Sequence, residues 1–436
     1  MSFQSIVICI LGLGILAAVH EIGHFIVARL LKIKVYELSI FVGPKLFSWK
    51  RNDIEYYIRL IPLGAYVRFS DFDEETGELK DDNPENLINQ ARWKRLLVSL
   101  AGPFMNVVLG IVIFMICFSN FGFLSLRQGI IVPETQVAYT NIAVGDSIVS
   151  MNGRRVLSQM DLSYELDQVS SVEPIKLTMR SKETGKTYEA VLNPIISEQY
   201  MLGISHYAEL DENDGWNVVS VDPQQNEGNP VLEPGDSVVK INGVAVSDPD
   251  IATVVSDSKG EPLEVEIFRK GEPMTVNMRA TKIKTTNLRG IYLEDGEGFW
   301  ECFRESVFFP ISFVRISIDT LAQAFTGKVK AYEVVSGPVG IASVVSDVVD
   351  APKVESSVKL ETLLVLAGGI SIGLAFTNML PIPGLDGNAI VLTVVEMIRG
   401  KKLSRKTEQI INVIGFVMII LLVVFALVSD VIRLSR

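Results

Sequence analysis

Four apolar runs, each long enough to cross a bilayer, constrain this chain more than any other feature. They are Ser5 to Leu31, Leu96 to Phe118, Leu360 to about Leu380, and Ile410 to Val431. At 1.5 Å per residue the first would extend about 40 Å as a helix, more than the roughly 30 Å of bilayer hydrocarbon. Spanning segments must satisfy their own backbone hydrogen bonds. The runs therefore predict a polytopic α-helical membrane protein with about four transmembrane helices. The composition agrees, with 48% apolar residues and a mean hydropathy of +0.32. A fifth apolar stretch, Phe299 to Phe325, carries Arg304, Glu305, Arg315 and Asp319. It reads as an amphipathic helix at the interface, within a region 296–350. The first run does not read as a cleaved leader: no Lys or Arg precedes Arg29, and no small-residue cleavage site follows.

Basic residues in short loops set orientation. The first loop holds Lys32, Lys34, Lys45, Lys50, Arg51, Arg92, Lys94 and Arg95; the last holds Arg399, Lys401, Lys402, Arg405 and Lys406. Both are expected in the cytoplasm, with the two termini and the long middle region outside. Between Ser119 and Glu361 there are 35 acidic and 21 basic residues, a balance that repels phosphate backbones and argues against nucleic-acid binding. The three cysteines, Cys9, Cys117 and Cys302, outline no disulfide framework.

The middle region contains a repeat. "VGDSIVSMNGRRV" at 144–156 matches "PGDSVVKINGVAV" at 234–246, an offset of 90 residues (Gly145 to Gly235). Each copy reads as a turn, a short strand and an Asn-Gly turn, with β-rich runs following. Two β/α domains are expected, at 126–205 and 206–285. Their signature resembles tandem PDZ domains, which bind extended peptides along a sheet edge. Neither copy shows a Gly-Leu-Gly-Phe type carboxylate-binding loop.

The chemistry lies in the first span. His20, Glu21, Ile22, Gly23 and His24 form H-E-x-x-H in a run where ionisable groups are costly, about 2.5 to 3.5 kcal/mol each by insertion scales. Residues i and i+4 share a helix face, so both imidazoles can meet one ion. Glu21 sits beside that face, placed to act as general base on a water activated by the metal. Satisfied core histidines are the bland alternative, and three ionisable groups in five residues weigh against it. Catalytic zinc takes three protein ligands and keeps an open position. The remaining histidine, His206, lies in the outer region, so the third ligand is sought among carboxylates. Asp386 is the only acidic residue between Glu361 and Glu396, and Pro381, Pro383 and Gly384 break the helix just before it. Such breaks are tolerated at membrane depth where they line a site.

His20-Glu21-x-x-His24 in the first span, with Asn378-x-x-Pro381-x-Pro383-x-Leu385-Asp386-Gly387 in a later one, resembles the site-2 protease family of intramembrane zinc metalloproteases. The PDZ-like pair places the resemblance in its bacterial regulator-of-sigma-E branch. It covers essentially the whole chain, as membrane core 1–118, the two repeats, the interfacial region and membrane core 358–436. The resemblance implies zinc held by His20, His24 and Asp386, with Glu21 as base. It implies that Asn378, with Pro381 and Pro383, holds substrate backbone. Gly102-Pro103-x-x-Asn106 matches a family element expected to pack tightly around the site, as are Gly23, Leu385 and Gly387. The segment 33–70 alternates like paired strands with a turn at Asn52-Asp53. The family has a membrane-associated β-sheet there, whose edge, near Gly43 and Gly64, can pair with an unwound substrate. Where relatives often have Gly-Phe-Gly the chain reads Phe41-Val42-Gly43, so no close backbone approach is assigned at Phe41.

The resulting expectation is a monomeric zinc metalloprotease of the bacterial inner membrane, its active site toward the cytoplasm. It would cut single-span proteins in or near their transmembrane helices: anti-sigma factors in a stress response, or signal-peptide remnants. The PDZ pair would act as a size filter. The rivals are a non-catalytic scaffold binding peptides through its PDZ pair, which has no need of Glu21, and a metal-ion transporter, which would want ligands at several depths.

Overall fold

The computed structural model describes residues 2–72, 79–80, 83–129, 141–169, 173–193, 195–206, 210–287, 292–334, 336–351 and 354–434. Three parts of the expected first repeat, 130–140, 170–172 and residue 194, lie outside the described residues. The chain divides into two compact units, one of Met1–Leu126, Val156–Glu165 and Glu294–Arg436, the other of Arg127–Arg155 and Leu166–Leu293.

The helices are α1 (Phe3–Leu30), α2 (Arg92–Phe121), α3 (Gln159–Asp167), the short α4 (Gln225–Gly228) and α5 (Ile251–Asp257). They continue with α6 (Phe299–Phe325), the short α7 (Ala331–Val334), α8 (Pro338–Val349), α9 (Ser356–Asn378), α10 (Asp386–Arg399) and α11 (Arg405–Leu434). Five are long and apolar enough to cross a membrane: α1, α2, α6, α9 and Val413–Ile432 of α11. The chain is thus a polytopic helical membrane protein that also carries β-sheets. The fifth helix is α6, which the sequence lays along the interface. Two of the charges behind that reading have protein partners. Arg315 pairs with the fully buried Asp161 of α3 at 2.7 Å, and Glu305, only 2% exposed, accepts the Gln159 N–H at 3.2 Å.

Small residues let the first-unit helices approach closely. A Cβ at Gly23 of α1 would lie 2.5 Å from the Ala101 carbonyl oxygen of α2. Gly110 of α2 faces Ile372 of α9, Gly368 of α9 faces Phe114 of α2, and Ser371 donates to the Asn106 carbonyl at 2.8 Å. These contacts hold α1, α2 and α9 side by side.

Between α1 and α2 lie β1 (Glu37–Arg51) and β2 (Ile54–Arg68), joined at Asn52 and Asp53, both with positive φ. Residues 37–40 of β1 pair with 55–58 on one side and with 68–65 on the other, which leaves 65–68 as an outer strand. Leu46, Phe47, Trp49, Leu60 and Leu63 are exposed around this sheet, an apolar surface suited to a membrane-associated element. Phe41 takes φ +66 although it is not glycine, and its ring lies against Gly14 of α1. The backbone turn expected of a glycine is therefore made by a phenylalanine.

In the second unit the repeat is exact in pairing. Strand 147–151 pairs with 154–155 and 175–180, and 175–180 with 187–192. Strand 237–241 pairs in the same way with 244–245 and 262–269, and 262–269 with 272–279. Asn152 and Asn242 have the same left-handed backbone, and each side chain accepts a strand N–H, from Lys176 at 2.9 Å and Glu264 at 2.8 Å. Two boundaries differ from the expected ones. Strand 195–201 pairs with 281–287, so backbone hydrogen bonding joins it to the second copy rather than the first. Residues 156–165 group with the helical unit, where Asp161 is bound to α6.

Candidate metal centre

The cluster is built from two elements. His20 and His24 are one turn apart on α1, 8% and 7% exposed, and Asp386 is the first residue of α10. His20 Nε2 lies 2.9 Å from Asp386 Oδ2, His24 Nε2 lies 3.4 Å from the same oxygen, and the two Nε2 atoms are 3.2 Å apart. The ligating atoms of His20, Glu21 and His24 all fall within 4.8 Å of one another.

The helix break places Asp386. α9 ends at Asn378, Gly384 takes φ +98, and a Cβ at Gly387 would strike the carbonyls of Met379 and Leu380. Glycine at 387 thus lets α10 begin directly over the end of α9. Buried Pro383 is wedged against Gly415 of α11. Further along α10, Glu396, 1% exposed, pairs with Arg95 of α2 at 2.7 Å and accepts the Leu403 N–H at 2.9 Å.

The donor set fits a metal. The His24 Nδ1–H donates to the Val98 carbonyl at 2.7 Å; a carbonyl only accepts, so Nε2 carries the lone pair. Two imidazole nitrogens and a carboxylate oxygen are zinc donors, and bonds of about 2.0 to 2.2 Å in a tetrahedron put ligand atoms about 3.3 Å apart. The three separations of 2.9, 3.2 and 3.4 Å match that spacing. Gly102 of α2 supplies the room, because a Cβ there would lie 2.7 Å from His20 Cε1 and Nε2 and closer still to His24 Nε2.

Glu21 is held separately. Its Oε2 accepts the Val67 N–H at 3.1 Å, so the side of the outer strand turned away from 37–40 reaches the carboxylate. Glu37 clamps the same strand, accepting from Arg59 at 3.1 Å, Tyr66 at 2.5 Å and Arg68 at 3.3 Å. Burial and the adjacent Glu37 carboxylate hold the Tyr66 hydroxyl above its ordinary pKa, which keeps it a donor. Arg59 also donates to the Gly43 carbonyl at 3.0 Å.

The structure therefore brings together His20, Glu21, His24, Asp386, Gly102 and Asn106. Gly23 and Pro103 lie in the adjoining helix contact, Leu385 caps α10, and Gly43 and Gly64 sit in the sheet with φ of +86 and +85. Among the described residues, no hydrogen bond ties the Asn378 or Pro381 side chain to the cluster. His206 lies in the second unit and stacks on Trp216 at 4.5 Å, a packing role. Sequence reasoning missed the Val98 carbonyl and the Val67 N–H, since backbone groups leave no trace in residue type. Beside the cluster runs an apolar groove of about 700 Å³, lined by Val27, Leu97, Ala101, Pro103, Phe104 and Phe376 among others.

An H-E-x-x-H helix in a membrane core, with a carboxylate brought to it by a broken helix, defines a membrane-embedded metallopeptidase. The chain matches the model of peptidase family M50 over residues 8–422 and belongs to that family. It is 28% identical to a candidate zinc metalloprotease of Clostridium acetobutylicum, over 99% of this chain and 98% of the relative. It is 26% identical to the zinc metalloprotease RasP of Geobacillus kaustophilus, over 99% and 98%, and to RasP of Shouchella clausii, over 97% of each chain.

Proposed function

We propose that this zinc metalloprotease cleaves single-span membrane proteins within or near their transmembrane helices, using His20, His24 and Asp386 to hold zinc and Glu21 as general base. The observation that carries the reading is the meeting of three zinc donors within 3.4 Å, with a second carboxylate, Glu21, beside them, on helices long enough to span a bilayer. Held by His20, His24 and Asp386, zinc would supply Lewis acidity for the scissile carbonyl and for a water near neutral pH. Glu21 takes the proton of that water at its carboxylate and passes it to the leaving amine nitrogen. Burial of both histidines limits bulk water around the reacting bond.

A transmembrane helix must unwind before its backbone can be cut. Residues 65–68 offer an outer strand whose Val67 N–H already points at Glu21, so an extended substrate can pair there with its scissile bond near the base. Asn378, with the broken-helix segment holding Pro381 and Pro383, supports the opposite side of that backbone. The apolar groove receives the part of the substrate that remains helical.

The protein sits in the bacterial inner membrane as a monomer, with its termini and repeats outside and the metal toward the cytoplasm. The two basic loops then share one side, so the chain between α2 and α9 both leaves and returns on the outside. A lone crossing by α6 would break that parity. On this topology α6 lies along the outer surface. The repeats are PDZ-like domains that exclude substrates still carrying a bulky outer domain, as in regulated cleavage of anti-sigma factors. The test is cleavage of a model single-span substrate by purified protein in liposomes, before and after zinc is removed by chelation and restored. Cleavage should stop and return with zinc; cleavage indifferent to the metal would overturn the reading.

A further inference from the structure

Asn106 was expected to serve helix packing, and its backbone does so by accepting from Ser371. Its side chain does something else. The carboxamide is fully buried, its nitrogen lies 3.4 Å from His20 Nδ1, and its Oδ1 has no hydrogen-bond partner among the described residues. A buried amide oxygen without a donor is costly, about 1–3 kcal/mol. His20 can bind a metal through Nε2 only if Nδ1 carries the imidazole proton, and that N–H then needs an acceptor. The two ends of a carboxamide exchange by a half-turn about its last torsion. In that orientation Oδ1 faces Nδ1 and accepts its proton, while the NH2 moves to the position that Oδ1 leaves.

We infer that Asn106 is a positioning residue for the metal centre: its carboxamide oxygen accepts the Nδ1–H of His20, fixing the tautomer that turns the Nε2 lone pair toward the ion. The inference rests on His20 being a ligand. It completes a symmetry in which α2 holds both imidazoles from behind, His24 through the Val98 carbonyl and His20 through Asn106, two turns apart on one helix. Partners of this kind orient metal-bound histidines and raise their basicity, and losing one costs about 10- to 100-fold in metal affinity. Between them, Gly102 leaves room for the rings that these two acceptors align.

The test uses full-length protein in detergent and measures zinc affinity by competition with a chelator. Asn106→Leu keeps the volume and removes the acceptor, and should weaken zinc binding about 10- to 100-fold. Asn106→Asp keeps an acceptor and should bind zinc within severalfold of wild type. Ser371→Ala removes the neighbouring interhelical hydrogen bond and serves as the packing control, with zinc affinity unchanged. A second readout requires no change at Asn106: nitrogen-15 spectra of zinc-loaded, histidine-labelled His206→Gln protein should show both remaining imidazoles protonated at Nδ1. Wild-type zinc affinity in Asn106→Leu, an equal loss in Ser371→Ala, or an unprotonated His20 Nδ1 would overturn the inference and leave the ligand assignment standing. Wild-type zinc affinity in His20→Gln would remove the ligand assignment and the inference with it.

Discussion

Gly102 shows how much a single missing side chain can do. α2 passes so close to both imidazoles that one methyl group would occupy the space around their Nε2 atoms. Gly102→Ala should therefore purify with substoichiometric zinc while remaining helical, which metal analysis and circular dichroism together would establish. Full zinc occupancy would show that the rings can yield. Asp386→Asn should also lose zinc, because a neutral amide is a poor replacement for an anionic ligand to a dication. Stoichiometric zinc in that variant would place the third ligand elsewhere. Much at this scale was legible in the sequence: H-E-x-x-H has a spacing, and Asp386 stands alone between Glu361 and Glu396. The role of Gly102 was not, since the room a glycine leaves depends on which helix lies opposite.

Elements show a similar division. The spans were legible as apolar runs, and the sheet as alternation with a turn at Asn52-Asp53. The outer strand's grip on Glu21 was not, because the register of 37–40 against two partner segments is set by folding back, which no local pattern records. Nor was the left-handed backbone at Phe41, where residue type argued against it. α10 carries a further testable link. Its buried Glu396 is held by Arg95, so Arg95→Leu leaves a carboxylate unpaired in a low-dielectric setting. The expected cost is about 3 kcal/mol, read as earlier thermal unfolding in detergent, with faster zinc loss because α10 also carries Asp386. Unchanged stability and zinc retention would mean that the ion pair does not position this helix.

For the molecule as a whole, the two repeats apart from 156–165 form a compact unit of their own, and the catalytic candidates all lie in the other. Deleting the second unit, 127–155 and 166–293, while keeping 156–165 with α6, should let the enzyme cut substrates that retain a bulky outer domain, while cleavage of shortened substrates changes little. Loss of cleavage of the short substrate, with the membrane helices still folded, would favour substrate capture over exclusion. The central claim is that a base beside a three-donor metal site performs hydrolysis inside the membrane. Its most direct test measures zinc content and cleavage of one reconstituted single-span substrate by wild type and Glu21→Gln. Glutamine keeps the size of the side chain and cannot take the proton, so zinc should stay near one equivalent while the rate falls about 10²- to 10⁴-fold. A Glu21→Gln enzyme that keeps its zinc and cleaves at the wild-type rate would contradict the account.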